Sequence, residues 1–380
     1  MKNKVGIITI VDNRNYGNRL QNFALSYFIQ KNTDAEAVTI RNRGFEDYSF
    51  IEKWSRERGE NWLRQTKAGD WFIRMVRKKR DEKKPFYHQL QAREEKFTAF
   101  NRKHMIFTSY ELCSYKQTHK CLSDFCLLIT GSDQVWNPQF QRATRIDFLQ
   151  FAPLEKRVSY AASIGVSSIP KDRVFQFSKY VSGMNDISVR EETGKRLVES
   201  YSDKKVVVVC DPTLLLTQEE WISVAIKPNV VFPQKYILVY FLGEISLAQK
   251  NIIEVYARKT GKEIIYLNSV KDEKLYTIGP DEFVYMFSHA DAIFTDSYHG
   301  CIFSILFHKN FWVFKRDKFD IYSRIQDLLA CYGLQNREVS EMEQQLKSIG
   351  EEEYTQVANR LMIERMRSGE WLLSILKKYV

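Results

Sequence analysis

The sequence predicts an α/β protein with two Rossmann-like domains that face each other across a cleft. Short apolar segments recur along the chain, and a polar residue or glycine follows each one before a helical pattern begins. This rhythm starts again after Thr213. We therefore expect an N-terminal domain over residues 1–203, a C-terminal domain over 204–345 and a helical tail over 346–380.

The predicted strands are short and mostly apolar, and the predicted helices show apolar residues at intervals of three and four. In the N-terminal half a helix is expected at 18–31, and in the C-terminal half helices are expected at 245–259 and 281–289. A capping pattern at 217–220 predicts the start of another helix. Strands are expected at 5–11, 37–40, 125–130, 157–164, 187–190, 206–209, 236–242, 263–267, 292–295 and 311–314.

The composition favours an acidic partner and offers no metal site. The formal net charge is +10, which suits a phosphorylated substrate, an anionic lipid or a nucleic acid. The six cysteines form no C-x-x-C pair, so free thiols in a reducing cytosol are expected. No G-x-G-x-x-G dinucleotide fingerprint is present, and no apolar run approaches the roughly 18 residues that a membrane-spanning helix needs.

The segment at 53–84 is strongly basic and rich in aromatic residues. It holds twelve Lys or Arg against five acidic residues. One interpretation is a segment that lies on an anionic membrane surface. The other is a solvated insertion whose aromatic side chains pack on the domain, since Trp54, Trp62 and Trp71 share no helical face. Nucleic-acid binding is not expected, because no recognisable motif accompanies the charge.

The polar residues at 296–300 lie between an apolar strand and an apolar helix, within the stretch DAIFTDSYHGCIFSILF at 291–307. Such a corner lies beyond the carboxyl end of a strand, where open α/β sheets bind ligands. The first turn of the helix favours an anion, and His299 can donate a proton near neutral pH. Against this stands the simpler interpretation that His299 caps or packs the turn. Asp296 either orients His299 or braces the turn.

Four motifs spread over most of the chain carry a family resemblance. They are Asn15-Tyr16-Gly17-Asn18-Arg19-Leu20-Gln21, Gly131-Ser132-Asp133-Gln134-Val135-Trp136-Asn137, Ser188-Val189-Arg190-Glu191 with Asp211-Pro212-Thr213, and Thr295-Asp296-Ser297-Tyr298-His299-Gly300. In these motifs the sequence resembles the polysaccharide pyruvyl transferases. Residues 45–110 are covered by none of them.

The resemblance implies a GT-B-like fold with an acceptor side in the N-terminal domain and a donor side in the C-terminal domain. It implies transfer of pyruvate from phosphoenolpyruvate to a sugar, with His299 as the general acid and no cofactor besides this co-substrate. Some family members carry a donor-binding arginine where this chain has Ser297. Other cations must therefore bind the donor.

Several residues are candidates for donor binding. Arg190 is the first, because a guanidinium can form two parallel hydrogen bonds with a carboxylate or phosphate. Lys315 and Arg316 are the second, and Ser297 and Gly300 belong to the donor-binding turn. For each basic residue the alternative is a salt bridge.

The candidates for acceptor binding follow predicted strands of the N-terminal half. Asn15, Asn18, Gln21 and Gln134 can hydrogen-bond sugar hydroxyls, although capping of the first helix explains the asparagines equally well. Asp133 can act as the base on an acceptor hydroxyl or simply cap its turn.

The expected acceptor is a sugar of a cell-surface polysaccharide precursor on a lipid carrier, and the expected location is the cytoplasm, with possible peripheral contact at the inner face of the plasma membrane. Two other functional classes stay open: a nucleotide-sugar-dependent glycosyltransferase of the same fold, and a non-catalytic module that binds anionic glycans.

Overall fold

The computed structural model describes residues 3–42, 68–69, 71–72, 75–76, 86–112, 115–140, 142–270, 272–316, 322–340 and 346–380. The basic segment predicted at 53–84 lies outside the described residues, apart from the short helical pieces at 68–69, 71–72 and 75–76. None of the helices in the described part of the chain combines the length and the apolar composition needed to span a bilayer.

The strands and helices alternate along most of the described chain. The strands are Lys4–Ile8 (β1), Glu36–Asn42 (β2), Ile106–Leu112 (β3), Leu127–Thr130 (β4), Arg157–Ala162 (β5), Asp186–Val189 (β6), Val206–Val208 (β7), Tyr236–Tyr240 (β8), Glu263–Leu267 (β9), Ala292–Thr295 (β10), Asn310–Phe314 (β11) and Glu338–Val339 (β12). The helices are Tyr16–Asn32 (α1), Tyr87–His104 (α2), His119–Leu122 (α3), Val174–Ser182 (α4), Glu192–Tyr201 (α5), Gln218–Val224 (α6), Leu247–Thr260 (α7), Glu273–Tyr276 (α8), Pro280–His289 (α9), Tyr298–Leu306 (α10), Ser323–Tyr332 (α11) and Glu351–Leu376 (α12).

The first sheet is parallel and has the strand order β3-β2-β1-β4-β5-β6-β7. Its central strand is fully buried at Val5, Ile7 and Ile8, as expected when helices cover both faces of a sheet. The order runs outward from β1 through β2 and β3, and in the opposite direction through β4 to β7. The carboxyl ends of β1 and β4 therefore flank the topological switch point, the usual place for a ligand.

The second sheet is also parallel and has the order β12-β11-β10-β8-β9. Here the chain runs from β8 to β9 on one side and then returns to β10 on the other side. The switch point of this sheet therefore lies between the ends of β8 and β10. The two parallel sheets confirm the predicted α/β class with two Rossmann-like domains.

The chain divides into two compact units, one containing residues 1–88, 101–212 and 368–380, and the other residues 89–100 and 213–367. The sequence analysis placed the domain boundary at 203–204, whereas the structure divides the chain at 212–213. The difference arises because β7 pairs with β6 as the last strand of the first sheet. The end of α12 also belongs to the first unit, where Leu372 and Leu376 are fully buried and the Trp371 ring lies 6.2 Å from that of Tyr160.

Candidate functional site

A carboxylate organises the switch point of the second sheet. The side chain of Asp296 accepts hydrogen bonds from the backbone N–H groups of Leu242 (2.7 Å) and Gly243 (2.8 Å), which follow β8. It also accepts from Arg316 Nε at 2.9 Å, and Arg316 Nη2 donates to the Asp296 carbonyl at 3.2 Å. Asp296 thus joins the ends of three neighbouring strands, β8, β10 and β11. Of the two roles considered for it, the geometry favours bracing the turn.

The start of α10 is fixed by side chains of the same turn. Ser297 is the N-cap, and its hydroxyl accepts from the Gly300 N–H at 3.3 Å. The Thr295 hydroxyl donates to the Tyr240 carbonyl at 2.6 Å and accepts from the Ser297 N–H at 3.0 Å. A Cβ at Gly300 would lie 2.3 Å from the Thr295 oxygen, so only glycine permits this close approach of helix and strand.

His299 lies in the first turn of α10, where the backbone N–H groups and the helix dipole favour an anion. His299 is 7% exposed. Its ring contacts the Tyr298 ring in an edge-on arrangement, with the ring centroids 5.5 Å apart. Cys301, two residues after His299, is fully buried, and burial together with the Asp296 carboxylate raises the pKa of its thiol. A thiol held protonated is no nucleophile, so burial argues against a nucleophilic role for Cys301.

Two predicted donor-binding cations follow β11. Arg316 is oriented by its two contacts with Asp296, and its side chain remains 26% exposed. The Nζ of Lys315 lies 5.8 Å from the centroid of the Tyr322 ring. The structure therefore brings Ser297, His299, Gly300 and Arg316 to one edge of the second sheet.

Arg190 is the centre of a buried ion cluster in the first unit. Its Nη1 lies 2.7 Å from an oxygen of Asp211, its Nε 3.6 Å from Glu191, and its Nη2 3.9 Å from Asp133. The side chains of Arg190 and Asp211 are both fully buried. Ser132 donates to Asp211 at 3.0 Å and so contributes to the same cluster. These charged residues follow β4, β6 and β7, whose carboxyl ends meet at one edge of the sheet.

Asp133 is held from several sides. The side-chain amide of Asn18 donates to one carboxylate oxygen, and the Gln134 N–H donates to the other at 2.9 Å. The backbone of Asp133 has φ 70°, in the left-handed region that few residues other than glycine adopt. Asn18 belongs to the first turn of α1, so this contact joins the first helix to the end of β4 across the switch point.

The remaining candidates of the first unit have internal partners. Asn15 is the N-cap of α1, and its side chain accepts a hydrogen bond from the Asn18 N–H. This is the helix-capping role that the sequence analysis gave as the alternative to sugar binding. Gln21 is fully buried and donates to Thr9 Oγ1 at 3.0 Å, which favours a structural role, and its acceptor-binding role stays a prediction. Gln134 accepts from the Asn137 amide at 2.6 Å. Trp136 is fully buried and stacks on Phe148 at 4.5 Å, which makes it a core residue.

Residues 15–318 match the sequence profile of the polysaccharide pyruvyl transferases, which covers most of the chain. The chain belongs to the polysaccharide pyruvyl transferase family. A comparison with curated proteins gave no match.

Solved structures with a similar fold have low sequence identity to this pyruvyl transferase. UDP-GlcNAc 2-epimerase from Neisseria meningitidis is 13% identical, with a TM-score of 0.48 and all of both chains covered. The corresponding enzyme from Methanocaldococcus jannaschii is 12% identical, with a TM-score of 0.47 and 99% of both chains covered. The glycosyltransferase SnogD from Streptomyces nogalater is 9% identical, with a TM-score of 0.41, over 99% of this chain and 100% of that one.

The motifs of the pyruvyl transferase family fall into two groups in this structure. The predicted residues up to Arg190 lie in the first unit, and those from Ser297 onward lie in the second unit. The ion cluster favours a structural role for Arg190, and its donor-binding role stays a prediction. Sequence reasoning gave no role to Glu191 or Asp211, although Glu191 directly follows one predicted strand and Asp211 lies two residues after another, which was an available signal.

Replacing Gly300 with alanine should disrupt the turn of the second unit. The new methyl group would clash with Thr295, and we expect a loss of about 1–3 kcal/mol in the free energy of unfolding, as in other overpacked sites. The measurement is the thermal unfolding midpoint by calorimetry. Gly350→Ala is the control, since nothing lies within 4 Å of a Cβ there. Equal midpoints for the two variants would contradict the close packing.

Replacing Arg190 with methionine should destabilise the first unit by about 3–5 kcal/mol, because the buried carboxylates lose their cation. Thermal unfolding again measures the effect. Arg196→Met is the matched control, because Arg196 is exposed on the neighbouring helix α5 and its side chain donates to Thr193 in the same helix turn. If the two methionine variants unfolded at the same temperature, the ion cluster would not be a structural centre of this unit.

Proposed function

We propose that this protein transfers pyruvate from phosphoenolpyruvate to two hydroxyl groups of one sugar in a cell-surface polysaccharide precursor, forming a ketal and releasing phosphate. The observation that carries the proposal is the turn at the switch point of the second sheet, where His299, the start of α10 and the oriented Arg316 occur together. Membership of the pyruvyl transferase family supports the same conclusion.

The proposed reaction requires that one proton is transferred to C3 of phosphoenolpyruvate. The oxygens of two acceptor hydroxyls bond to C2 of the donor, the C2–O bond to phosphate breaks, and C3 gains a proton to become a methyl group. Of the two protons that the hydroxyls lose, one balances the proton delivered to C3 and the other leaves with phosphate. A positioned acid is therefore needed at C3, and in this proposal His299 is that acid.

The electrostatics of the turn suit this donor. Phosphoenolpyruvate carries a phosphate and a carboxylate, and the first turn of α10 attracts negative charge. Arg316 keeps N–H groups beyond those used by Asp296, because a guanidinium has five. A bound anion also favours the protonated imidazole, the form that an acid must have before it acts.

The acceptor is proposed to contact the switch point of the first sheet, where Asn18 and Asp133 lie together. Carboxylate and amide groups are suitable partners for sugar hydroxyls. The base role of Asp133 belongs to this proposal. It requires the hydroxyl to approach a carboxylate that already accepts from Asn18 and Gln134.

Replacing His299 with alanine should abolish turnover and leave phosphoenolpyruvate binding largely intact, since the acid acts after the donor has bound. The assay is acceptor-dependent phosphate release from phosphoenolpyruvate with a panel of lipid-linked sugars, accompanied by calorimetric titration of the donor. His289→Ala is the control, because His289 is an exposed histidine of the same unit.

Turnover by His299→Ala at the rate of the unmodified protein would refute the acid role. If the unmodified protein released no phosphate with any acceptor, and UDP- or GDP-sugars raised its unfolding temperature while phosphoenolpyruvate did not, the pyruvyl transfer itself would be contradicted.

The lipid-linked acceptor implies contact with the inner face of the plasma membrane, and we propose the basic segment at 53–84 for this contact. We expect the full chain to sediment with vesicles that contain anionic lipid and not with neutral ones. Reversing the charge of Lys78 and Lys79 to glutamate should weaken binding by about 2 kcal/mol or more. The same change at the exposed Lys377 and Lys378 is the control. Equal sedimentation of both variants would contradict the contact.

A further inference from the structure

We infer that Arg19, together with the start of α1, binds the diphosphate of an acceptor sugar that is carried by a lipid or by a nucleotide. The inference rests on the proposed function and deepens it, because it names the chemical class of the acceptor. Arg19 directly follows Asn18 in the first turn of α1, at the switch point of the first sheet. The sequence motifs gave it no role.

The guanidinium of Arg19 is buried and has nitrogens without an acceptor. Arg19 is fully buried, and its side chain leans toward the amino terminus of its helix, as helical side chains do. Its Nη2 donates to the Asp12 carbonyl at 3.2 Å and to the Asn13 side-chain oxygen at 3.1 Å. Nε and Nη1 are buried and donate to no acceptor among the described residues. Two of the three nitrogens are therefore left for a ligand.

The charge of Arg19 is not neutralised by an ion pair. No carboxylate in the described part of the chain forms an ion pair with it, in contrast to Arg190, whose Nη1 lies 2.7 Å from Asp211. Burial lowers the pKa of the Arg19 guanidinium to about 10, and the Asp12 carboxylate opposes this shift only in part. Arg19 is thus protonated at neutral pH. Because a buried charge is costly unless it is paired, an anionic ligand would supply the missing partner.

A second cation contacts the same aromatic ring. The guanidinium carbons of Arg19 and Arg41 lie 5.6 Å and 5.3 Å from the centroid of the Phe107 ring. Arg41 is exposed on β2, so one of the two cations is buried and the other faces solvent. The ring attracts both groups and leaves the N–H groups at their edges available, but the like charges repel. A ligand with several negative charges reverses this repulsion, which favours a diphosphate over a single carboxylate.

Two donors converge on one neutral oxygen beside Arg19. The Asn13 side-chain oxygen accepts from Arg19 Nη2 and from the Asn101 amide at 3.2 Å. Asn13 is partly exposed, and the residues on either side of it are exposed. A phosphate oxygen is a stronger acceptor for a guanidinium than an amide oxygen is, and the start of α1 attracts its charge. In the proposal a phosphate oxygen replaces the Asn13 oxygen, which also gives the ligand access to Nε and Nη1.

Consecutive residues of α1 give the acceptor its direction. Asn18 donates to Asp133, which follows β4, whereas Arg19 contacts the ring of Phe107 on β3. Strands β3 and β4 lie on opposite sides of β1 in the sheet. An acceptor that places its sugar at Asp133 and its diphosphate at Arg19 therefore crosses the start of α1.

The test is the binding of inorganic diphosphate to the full chain, measured by calorimetric titration with saturating phosphoenolpyruvate to occupy the donor site. Arg19→Met should weaken this binding roughly 10- to 100-fold, the size expected for lost hydrogen bonds to a charged group. Arg19→Lys keeps the charge without the planar fork and should bind with intermediate affinity. Arg41→Met should weaken binding about two- to fivefold, as expected at an exposed position. Arg196→Met, an exposed arginine of the same unit, is the control.

The unfolding temperature separates ligand binding from a structural role. Because the buried guanidinium has no ion-pair partner, Arg19→Met should unfold at or above the temperature of the unmodified protein. Diphosphate should raise the unfolding temperature of the unmodified protein and of Arg196→Met, and not that of Arg19→Met. Unchanged affinity for diphosphate in a folded Arg19→Met variant would overturn the inference. If Arg19→Met did not fold, unchanged affinity in Arg19→Lys would overturn it.

Turnover identifies the carrier of the diphosphate. The acceptors are one sugar linked to polyprenyl diphosphate, the same sugar linked to a nucleoside diphosphate, and the free sugar. Use of the first indicates a lipid carrier, and use of the second indicates a nucleotide. For the acceptor that is used, Arg19→Met should raise the KM roughly 10- to 100-fold and leave the KM for phosphoenolpyruvate unchanged. Equal KM values for the free sugar and its diphosphate-linked forms would overturn the inference.

The failure of the inference differs from the failure of the proposed function. If a diphosphate-linked acceptor were used with the same KM by Arg19→Met and the unmodified protein, the inference would fail and pyruvyl transfer would stand. If no acceptor were used, pyruvyl transfer would fail, and binding of diphosphate that depended on Arg19 would still support the site.

Discussion

The hydrogen bonds of Asp296 are the constraint on which the candidate site depends. Its carboxylate joins backbone N–H groups after β8 to the guanidinium after β11, while its own backbone begins the turn after β10. A buried carboxylate is costly unless it is paired and hydrogen-bonded, and here the donors of two other strands satisfy it. Because three strand ends are fixed together, the start of α10, and with it His299, has a defined position before any ligand arrives.

The two units use buried charge differently. In the first unit, Arg190 is surrounded by carboxylates of neighbouring strand ends, and the cluster stabilises the edge of the sheet. In the second unit, a single carboxylate orients Arg316 and leaves part of its side chain exposed. An oriented cation that keeps hydrogen-bond donors available suits the anionic donor proposed above, whereas the full burial of Arg190 among carboxylates favours a structural role.

The fold class and the turn at 296–300 could be predicted from the sequence, because both depend on the local succession of apolar and polar residues. The strands at 263–267 and 292–295 were predicted with their observed bounds, since apolar runs ended by polar residues mark buried strands. Strand β3, most of whose residues are exposed or partly exposed, and the short β12 were missed. The contact of Arg324 with the Tyr298 ring could not be predicted from the sequence pattern, because it forms through the packing of α11 on α10. The cluster around Arg190 likewise depends on which strands are neighbours.

The state of the His299 imidazole tests the central claim most directly. In protein labelled with ¹⁵N at its six histidines, the His299 signal can be assigned by its loss in His299→Gln. The account predicts that phosphoenolpyruvate shifts this signal toward the protonated form at neutral pH and leaves that of His289 unchanged. A His299 signal that did not move while phosphoenolpyruvate was bound would contradict it.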